Sequence, residues 1–96
     1  RDADDIIKLI PLQREILLNA ASFVKPGGAI IYSTCTIESE ENEQNIAWFL
    51  QEFPNFILDP AEQYLPSEVC EHGFLKTIPG QHSTDGAFAA RLIRKS

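Results

Sequence analysis

The stretch Ala29-Ile30-Ile31-Tyr32-Ser33-Thr34-Cys35-Thr36-Ile37 limits the fold more than any other, because of what stands on either side of it. It is short, β-branched and aromatic, and Lys25-Pro26-Gly27-Gly28 sets it off from what precedes. Those traits predict a buried strand. The run delivers Cys35 to its C-terminal end, the edge of an open α/β sheet where ligands bind. Glu38-Ser39-Glu40-Glu41-Asn42-Glu43 follows at once and reads as the approach to a helix, with Ser39 as N-cap and the acids in the first turn. Backbone N–H groups at a helix start favour an anion and can lower a thiol's pKa. A strand end, a thiol and a helix start together suit a nucleophile. Against this, the four nearby glutamates favour a protonated thiol, and a cysteine is also a small hydrophobe that serves well in a core.

The rest of the chain is predicted around this strand. Ile6, Ile7, Leu9 and Ile10 form a short helix or turn, and Pro11 opens a second helix. Along that helix Leu12, Ile16, Ala20 and Phe23 make one stripe, widened by Leu17, Ala21 and Val24, with Gln13, Arg14, Glu15 and Asn19 on the other side. The helix after Cys35 runs to about Glu52, with Ile46, Phe49, Leu50 and Phe53 inward, and Pro54 ends it. Trp48 lies off that stripe, a partner contact or a half-buried ring. Phe56-Ile57-Leu58 is a short strand, 59–72 a loop with at most one helical turn, 73–78 a strand and 79–86 a loop. Residues 87–94 close the chain as a strand with Phe88, Ala90 and Leu92 on one face. Helix, strand, helix and then short strands suggest a parallel sheet with a terminal antiparallel hairpin, the C-terminal half of a doubly wound, Rossmann-like α/β domain. A half sheet leaves an inner edge open to self-association.

Length and charge narrow the function classes. Ninety-six residues make one small domain, 1–96, with little room for a cofactor pocket beside its core. An apolar fraction of 44% is that of a globular protein, and no apolar run approaches the roughly 20 residues that span a bilayer. The chain opens on Arg1-Asp2-Ala3-Asp4-Asp5 without an initiator Met or a signal peptide, so it reads as part of a longer, cytoplasmic protein. A net charge of −6 argues against an autonomous nucleic-acid binder; only Arg91, Arg94 and Lys95 near the end lean basic. Cys35 and Cys70 have no metal-site spacing, and reduced thiols are expected over a single bridge.

Several of these residues together carry a more specific likeness. Tyr32-Ser33-Thr34-Cys35-Thr36-Ile37, then Glu41-Asn42-Glu43, then Asp85-Gly86 before Phe88 and Ala90-Arg91-Leu92, resemble the Nol/Nop/Sun family of RNA cytosine-C5 methyltransferases, in particular its bacterial Sun-type branch acting on 16S ribosomal RNA. Leu12-Gln13-Arg14-Glu15-Ile16-Leu17 and Val24-Lys25-Pro26-Gly27-Gly28 fit the same pattern. The resemblance implies an S-adenosylmethionine-dependent enzyme of which this chain is the C-terminal part of the catalytic domain. It implies that Cys35 is the nucleophile, adding to C6 of cytosine so that C5 can take a methyl group. The family's glycine-rich cofactor loop, its ribose-holding acid and its Asp-x-Pro-Cys segment are not in this sequence, so the cofactor-binding motifs lie outside it and the isolated piece is expected to be inactive. Ribosomal RNA is the implied partner, met mainly through surfaces elsewhere in the longer protein.

The supporting residues keep two readings each. Thr34 either orients the Cys35 loop or satisfies β propensity. Glu41, Asn42 and Glu43 either brace that loop or form a solvated first turn, with Asn42 the one the resemblance commits. Asp85 and Gly86 either shape the edge of the site or make a turn. Ala87 stands where the family's Asp-Gly-Phe-Phe pattern has its first phenylalanine. His82 is a loop histidine, and Cys70 and His72 are taken as structural. The competing reading of the whole chain is a non-catalytic α/β interaction module with a structural Cys35.

Overall fold

A computed structural model describes residues 3–35, 38–77 and 86–96, the first six of these by backbone only. Helix α1 (Ala3–Phe23) leads into strand β1 (Ala29–Thr34), and helix α2 (Glu43–Glu52) into β2 (Phe56–Asp59). Two 3-10 turns, Ala61–Gln63 and Ser67–Val69, precede β3 (Cys70–Glu71), β4 (Phe74–Thr77) and β5 (Ala87–Arg94).

Strand β5 organises the sheet. All of β1 pairs along one side of it, from Ala29 opposite Ile93 to Thr34 opposite Phe88. The other side is shared by β2, opposite residues 91–94, and β4, opposite residues 87–89. Every one of these pairings is antiparallel. The expected parallel pairing is therefore not found among the described residues, although the expected directions are: β1 and β2 run the same way. The reason is that β5 lies between them, filling the gap that the α2 crossover spans. The terminal hairpin, β4 with β5, is present as expected.

Alternation along β5 sets the layers. Phe88, Ala90 and Leu92 are buried and join Leu17 and Ala21 of α1, Ile46 and Phe49 of α2, Ile30 and Phe56 in one core. Both helices thus cover the same face, with the Phe49 ring 5.1 Å from Phe56 and 4.8 Å from Phe53. Full burial of a large side chain contributes about 1.5–3 kcal/mol, so this face holds the fold together. On the opposite face Ile31 and Ile57 are exposed.

Helix α1 departs from expectation twice. It runs unbroken through Pro11, which is exposed. A proline removes the bond its own N–H would make and its ring crowds the carbonyl four residues back, yet the helix continues on both sides of Pro11. The buried stripe is also shifted by one position: Leu17 and Ala21 are buried, whereas Leu12, Ile16 and Phe23 are exposed. Apolar residues stand on both sides of this helix, so periodicity alone does not choose. What chooses is that Gln13 and Arg14, expected to face water, turn toward α2 and bond there.

The turns follow their residues. Lys25-Pro26-Gly27-Gly28 closes with Gly28 N–H on the Lys25 carbonyl at 2.8 Å, and Gly27 has φ +83°, as a type II turn with proline second requires. This turn is stitched to the end of β5, where Gly27 N–H donates to the Arg94 carbonyl and Arg94 N–H to the Gly28 carbonyl. Strand β3, unforeseen within the expected 59–72 loop, forms a two-residue hairpin with β4. Its turn residues His72 and Gly73 both have positive φ, the geometry of a type I′ turn. Among the described residues no helix is long and apolar enough to cross a membrane.

Candidate active site

Cys35 stands one residue beyond β1, exposed, at the end of the sheet where β5 begins. The register Thr34 opposite Phe88, and Phe88 opposite Lys76, places the ends of β1 and β4 beside the start of β5. Gly86, buried and just ahead of β5, is therefore at the same end as Cys35. Asp85, Thr36, Ile37 and His82 lie outside the described residues.

Cross-strand neighbours share a face, so Thr34, Phe88 and Lys76 all point toward α2. Each polar one of them meets the start of that helix. Thr34 Oγ1 donates to Asn42 Oδ1 at 2.5 Å. Lys76 Nζ donates to Glu43 Oε2 at 2.6 Å, with Glu71 at 3.7 Å. The bond from Glu43 raises the Lys76 pKa, against some desolvation, so this lysine is a committed cation. Two residues before Thr34, the Tyr32 hydroxyl donates to the Glu41 carbonyl at 2.6 Å. Burial pushes the Tyr32 pKa up, with the Asn45 hydrogen bond opposing and the Glu41 charge assisting, so the hydroxyl keeps its proton and remains a donor.

The acidic segment is thus not a solvated turn. Glu41 and Asn42 are 0% and 1% exposed. Helix α2 begins at Glu43 rather than next to Ser39, and no side chain caps it. Ser39 and Glu40 belong to the turn before it, whose backbone closes through Glu41 N–H on the Glu38 carbonyl and Gln44 N–H on the Ser39 carbonyl. Burial of this segment is supported by partners from β1, β4 and α1, which meet Asn42 Oδ1, the Glu41 carbonyl, Glu43 Oε2 and Glu41 Oε1.

The α1 partners and Asn45 were not foreseen. Asn45 is fully buried. Its Nδ2 donates to Gln13 Oε1 at 2.9 Å and also reaches Tyr32 Oη at 3.1 Å and the Glu41 carbonyl at 3.2 Å. Gln13 Nε2 donates to Glu41 Oε1 at 2.8 Å, and Arg14 Nε donates to Asn45 Oδ1 at 2.9 Å while its guanidinium lies 4.9 Å from the Trp48 ring. The signal for Asn45 is its spacing. Glu41, Asn45 and Phe49 stand four apart, so polar residues continue the buried stripe of α2.

Beside this corner, a groove of about 280 Å³ runs along β1 between Gln13 and Ile16 on one side and Ile31 to Thr34 on the other. Among the described residues β1 pairs only with β5, so its other edge is open. The connection after β1 carries a thiol and acids where a cofactor-cradling loop carries glycines, and these residues do not fit S-adenosylmethionine. Cys70 is half-buried, its Sγ lies 4.0 Å from the Leu65 carbonyl, and burial with Glu62 and Glu68 nearby pushes its thiol up. A raised thiol is a poor nucleophile. His72 is accounted for by the hairpin turn.

The strand thus ends in an exposed thiol one residue beyond the Thr34–Asn42 hydrogen bond, with Glu41 and Asn42 buried behind it. The family model for 16S rRNA methyltransferase RsmB/F matches residues 1–93. The chain belongs to that family. It is 38% identical over 96 residues to a probable ribosomal RNA small subunit methyltransferase B of Bacillus subtilis, covering 96% of this chain and 22% of that protein. It is 48% identical over 58 residues to the mouse tRNA (cytosine(72)-C(5))-methyltransferase NSUN6, covering 60% of this chain and 12% of that protein. The crystal structure of NSun6 from Pyrococcus horikoshii, solved with SFG, superposes with a TM-score of 0.84 at 25% identity, covering 100% of this chain and 25% of that one. The chain therefore spans about a fifth of the length of the Bacillus relative, and its mixed α/β fold, with an antiparallel sheet, matches part of the Rossmann-like fold of methyltransferases.

Proposed function

We propose that residues 1–96 are the nucleophile-bearing, C-terminal part of the catalytic domain of an S-adenosylmethionine-dependent RNA cytosine-C5 methyltransferase, acting on ribosomal RNA in the cytoplasm. The observation that carries this reading is the hydrogen bond from Thr34 to buried Asn42, which holds the strand end next to the exposed Cys35. In this reading Cys35 is the catalytic residue, and Thr34, Asn42 and Gly86 support its corner. Asp85 is assigned with Gly86 from the resemblance alone.

The chain's own chemistry is the making and breaking of one bond. The Cys35 thiolate adds to C6 of cytosine, and the π pair of the C5–C6 double bond becomes available at C5. The methyl group that C5 takes up is supplied by cofactor held outside this chain. A base, also outside it, then removes the C5 proton. That electron pair re-forms the double bond and expels the thiolate, so the enzyme is returned unchanged. The isolated 96-residue chain lacks the cofactor site and is expected to methylate nothing. With a net charge of −6, it leaves most RNA-phosphate contact to the remainder of the protein. In isolation, the open edge of β1 with exposed Ile31 favours self-association.

The test is covalent trapping. The full-length protein carrying this segment is incubated with S-adenosylmethionine and RNA containing 5-fluorocytidine, whose C5 substituent cannot leave as a proton. A denaturant-stable adduct that disappears in Cys35→Ala is the expected result. An adduct that persists in Cys35→Ala assigns the attack to another residue, and none from folded wild-type protein favours a non-catalytic module.

A further inference from the structure

The polar contacts between α1 and the α2 segment have a direction. Arg14 Nε can only donate, and it donates to Asn45 Oδ1. Asn45 Nδ2 donates to Gln13 Oε1, and Gln13 Nε2 donates to Glu41 Oε1. The two amides therefore sit between the Arg14 donor and the Glu41 oxygen that accepts. Turning either amide over sets donor against donor or acceptor against acceptor, so both orientations are fixed. The relay ends at Glu41, whose carbonyl receives the Tyr32 hydroxyl and whose neighbour Asn42 receives Thr34. Thr34 is next to Cys35.

We propose that the Arg14–Asn45–Gln13–Glu41 relay is a positioning device for the nucleophile. It sets the start of α2 against α1 in one arrangement, and through Asn42 and Thr34 it holds the Cys35 corner in one conformation. Gln13 is its central member, because its two amide atoms hold one residue from the turn before α2 and one from within the helix. Gln13 and Arg14 act through other residues and touch no reacting atom. An apolar pair at Gln13 and Asn45 would pack the same two helices, but it would carry no preference for which rotation of α1 meets Glu41. The assignment rests on the reading of Cys35 as the nucleophile.

The test reads the Cys35 corner directly in the 96-residue chain. In a Cys70→Ser background, the second-order rate of Cys35 alkylation by iodoacetamide is measured under native conditions. Wild type is compared with Gln13→Glu and Gln13→Met. The first keeps the shape and turns the donor into an acceptor facing Glu41; the second keeps the length and removes both polar contacts. Phe56→Leu, in the core and away from the relay, matches the loss of stability. A short peptide carrying Ser33-Thr34-Cys35-Thr36 gives the rate of an unheld thiol. Both Gln13 variants are expected to shift the rate at least about threefold toward that of the peptide, while Phe56→Leu leaves it unchanged. A wild-type rate equal to the peptide's, or equal shifts in the Gln13 variants and Phe56→Leu, overturns the proposal. Should Gln13→Glu not fold, Gln13→Met decides alone. Alkylation reads the held thiol and trapping reads catalysis, so either reading can fail while the other stands.

Discussion

Replacing Asn45 by aspartate isolates the donor half of its amide. The shape is kept, and so is the oxygen that receives Arg14 Nε. What changes is that an oxygen now faces Gln13 Oε1, Tyr32 Oη and the Glu41 carbonyl, at 2.9, 3.1 and 3.2 Å in the wild type. The Tyr32 hydroxyl still serves the Glu41 carbonyl, so the group left without a donor is Gln13 Oε1. Gln13 is half-buried, so this unmet acceptor costs about 1 kcal/mol, the low end of the range for a buried group. A carboxylate in this fully buried position adds a desolvation cost that the single Arg14 contact offsets only in part. The sum is about 3 kcal/mol, and for a domain of this size it lowers the melting temperature by about 12–24 °C. The assay is urea unfolding of the 96-residue chain, followed by far-UV circular dichroism and by the fluorescence of Trp48, the one tryptophan, over which Arg14 lies. The new carboxyl is desolvated, so its folded pKa is raised. The folded state then binds its proton more tightly than the unfolded one, and the deficit relative to wild type shrinks as pH falls toward 4. A deficit below about 1 kcal/mol at pH 7, or one that does not shrink in acid, refutes the claim that Asn45 is needed as a donor.

Two further outcomes test the framework around the site. At Gly73, with φ +92°, an added Cβ would stand 2.7 Å from Leu58 Cδ2, so Gly73→Ala should cost about 1–3 kcal/mol in the same urea assay. Asp59, at the end of β2, accepts hydrogen bonds from the Tyr64 hydroxyl and from Arg91, and these hold its pKa below the ordinary value despite some desolvation. A depressed folded pKa stabilises above the unfolded carboxylate value and loses that contribution as pH falls through the folded one, so the stability gap between wild type and Asp59→Asn should close below about pH 4.

How much of this was legible follows from what each residue type announces. Phe88, Ala90 and Leu92 alternate cleanly, and Ile46, Phe49, Leu50 and Phe53 repeat at helical spacing, so β5 and the inward face of α2 could be read directly. The antiparallel insertion of β5 between β1 and β2 could not, because alternation identifies a strand and not its neighbours. The face of α1 failed for a different reason. Leu12, Ile16 and Phe23 make as good a stripe as Leu17, Ala21 and Val24, and hydrophobicity cannot break the tie. Cys35 was legible as a strand-end thiol, and the resemblance gave it a role. Asn42 was legible through that resemblance alone, and Asn45, Gln13 and Arg14 not at all, since a polar residue is expected in water until its partner is known.

The tie on α1 is broken by hydrogen bonding, and that bears on why the polar cluster is there. Turning α1 to bury Ile16 in place of Leu17 would keep a similar apolar area out of water, yet it would take Gln13 away from Glu41 and Asn45. Those two are 0% exposed and each would lose a partner. Unmet buried groups cost about 1–3 kcal/mol apiece, whereas exchanging one branched aliphatic for another costs under about 1.5 kcal/mol. The polar contacts therefore choose the rotation, and the apolar contacts contribute most of the stability once it is chosen. Leu12, Ile16 and Phe23 are left exposed as the consequence, and Ile16 lines the groove along β1. A segment that needed only to be stable would not bury a glutamate and two asparagines behind its strand end. On the proposed reading, in which Cys35 meets a substrate in a single geometry, the segment gains from contacts that are wrong in every other arrangement.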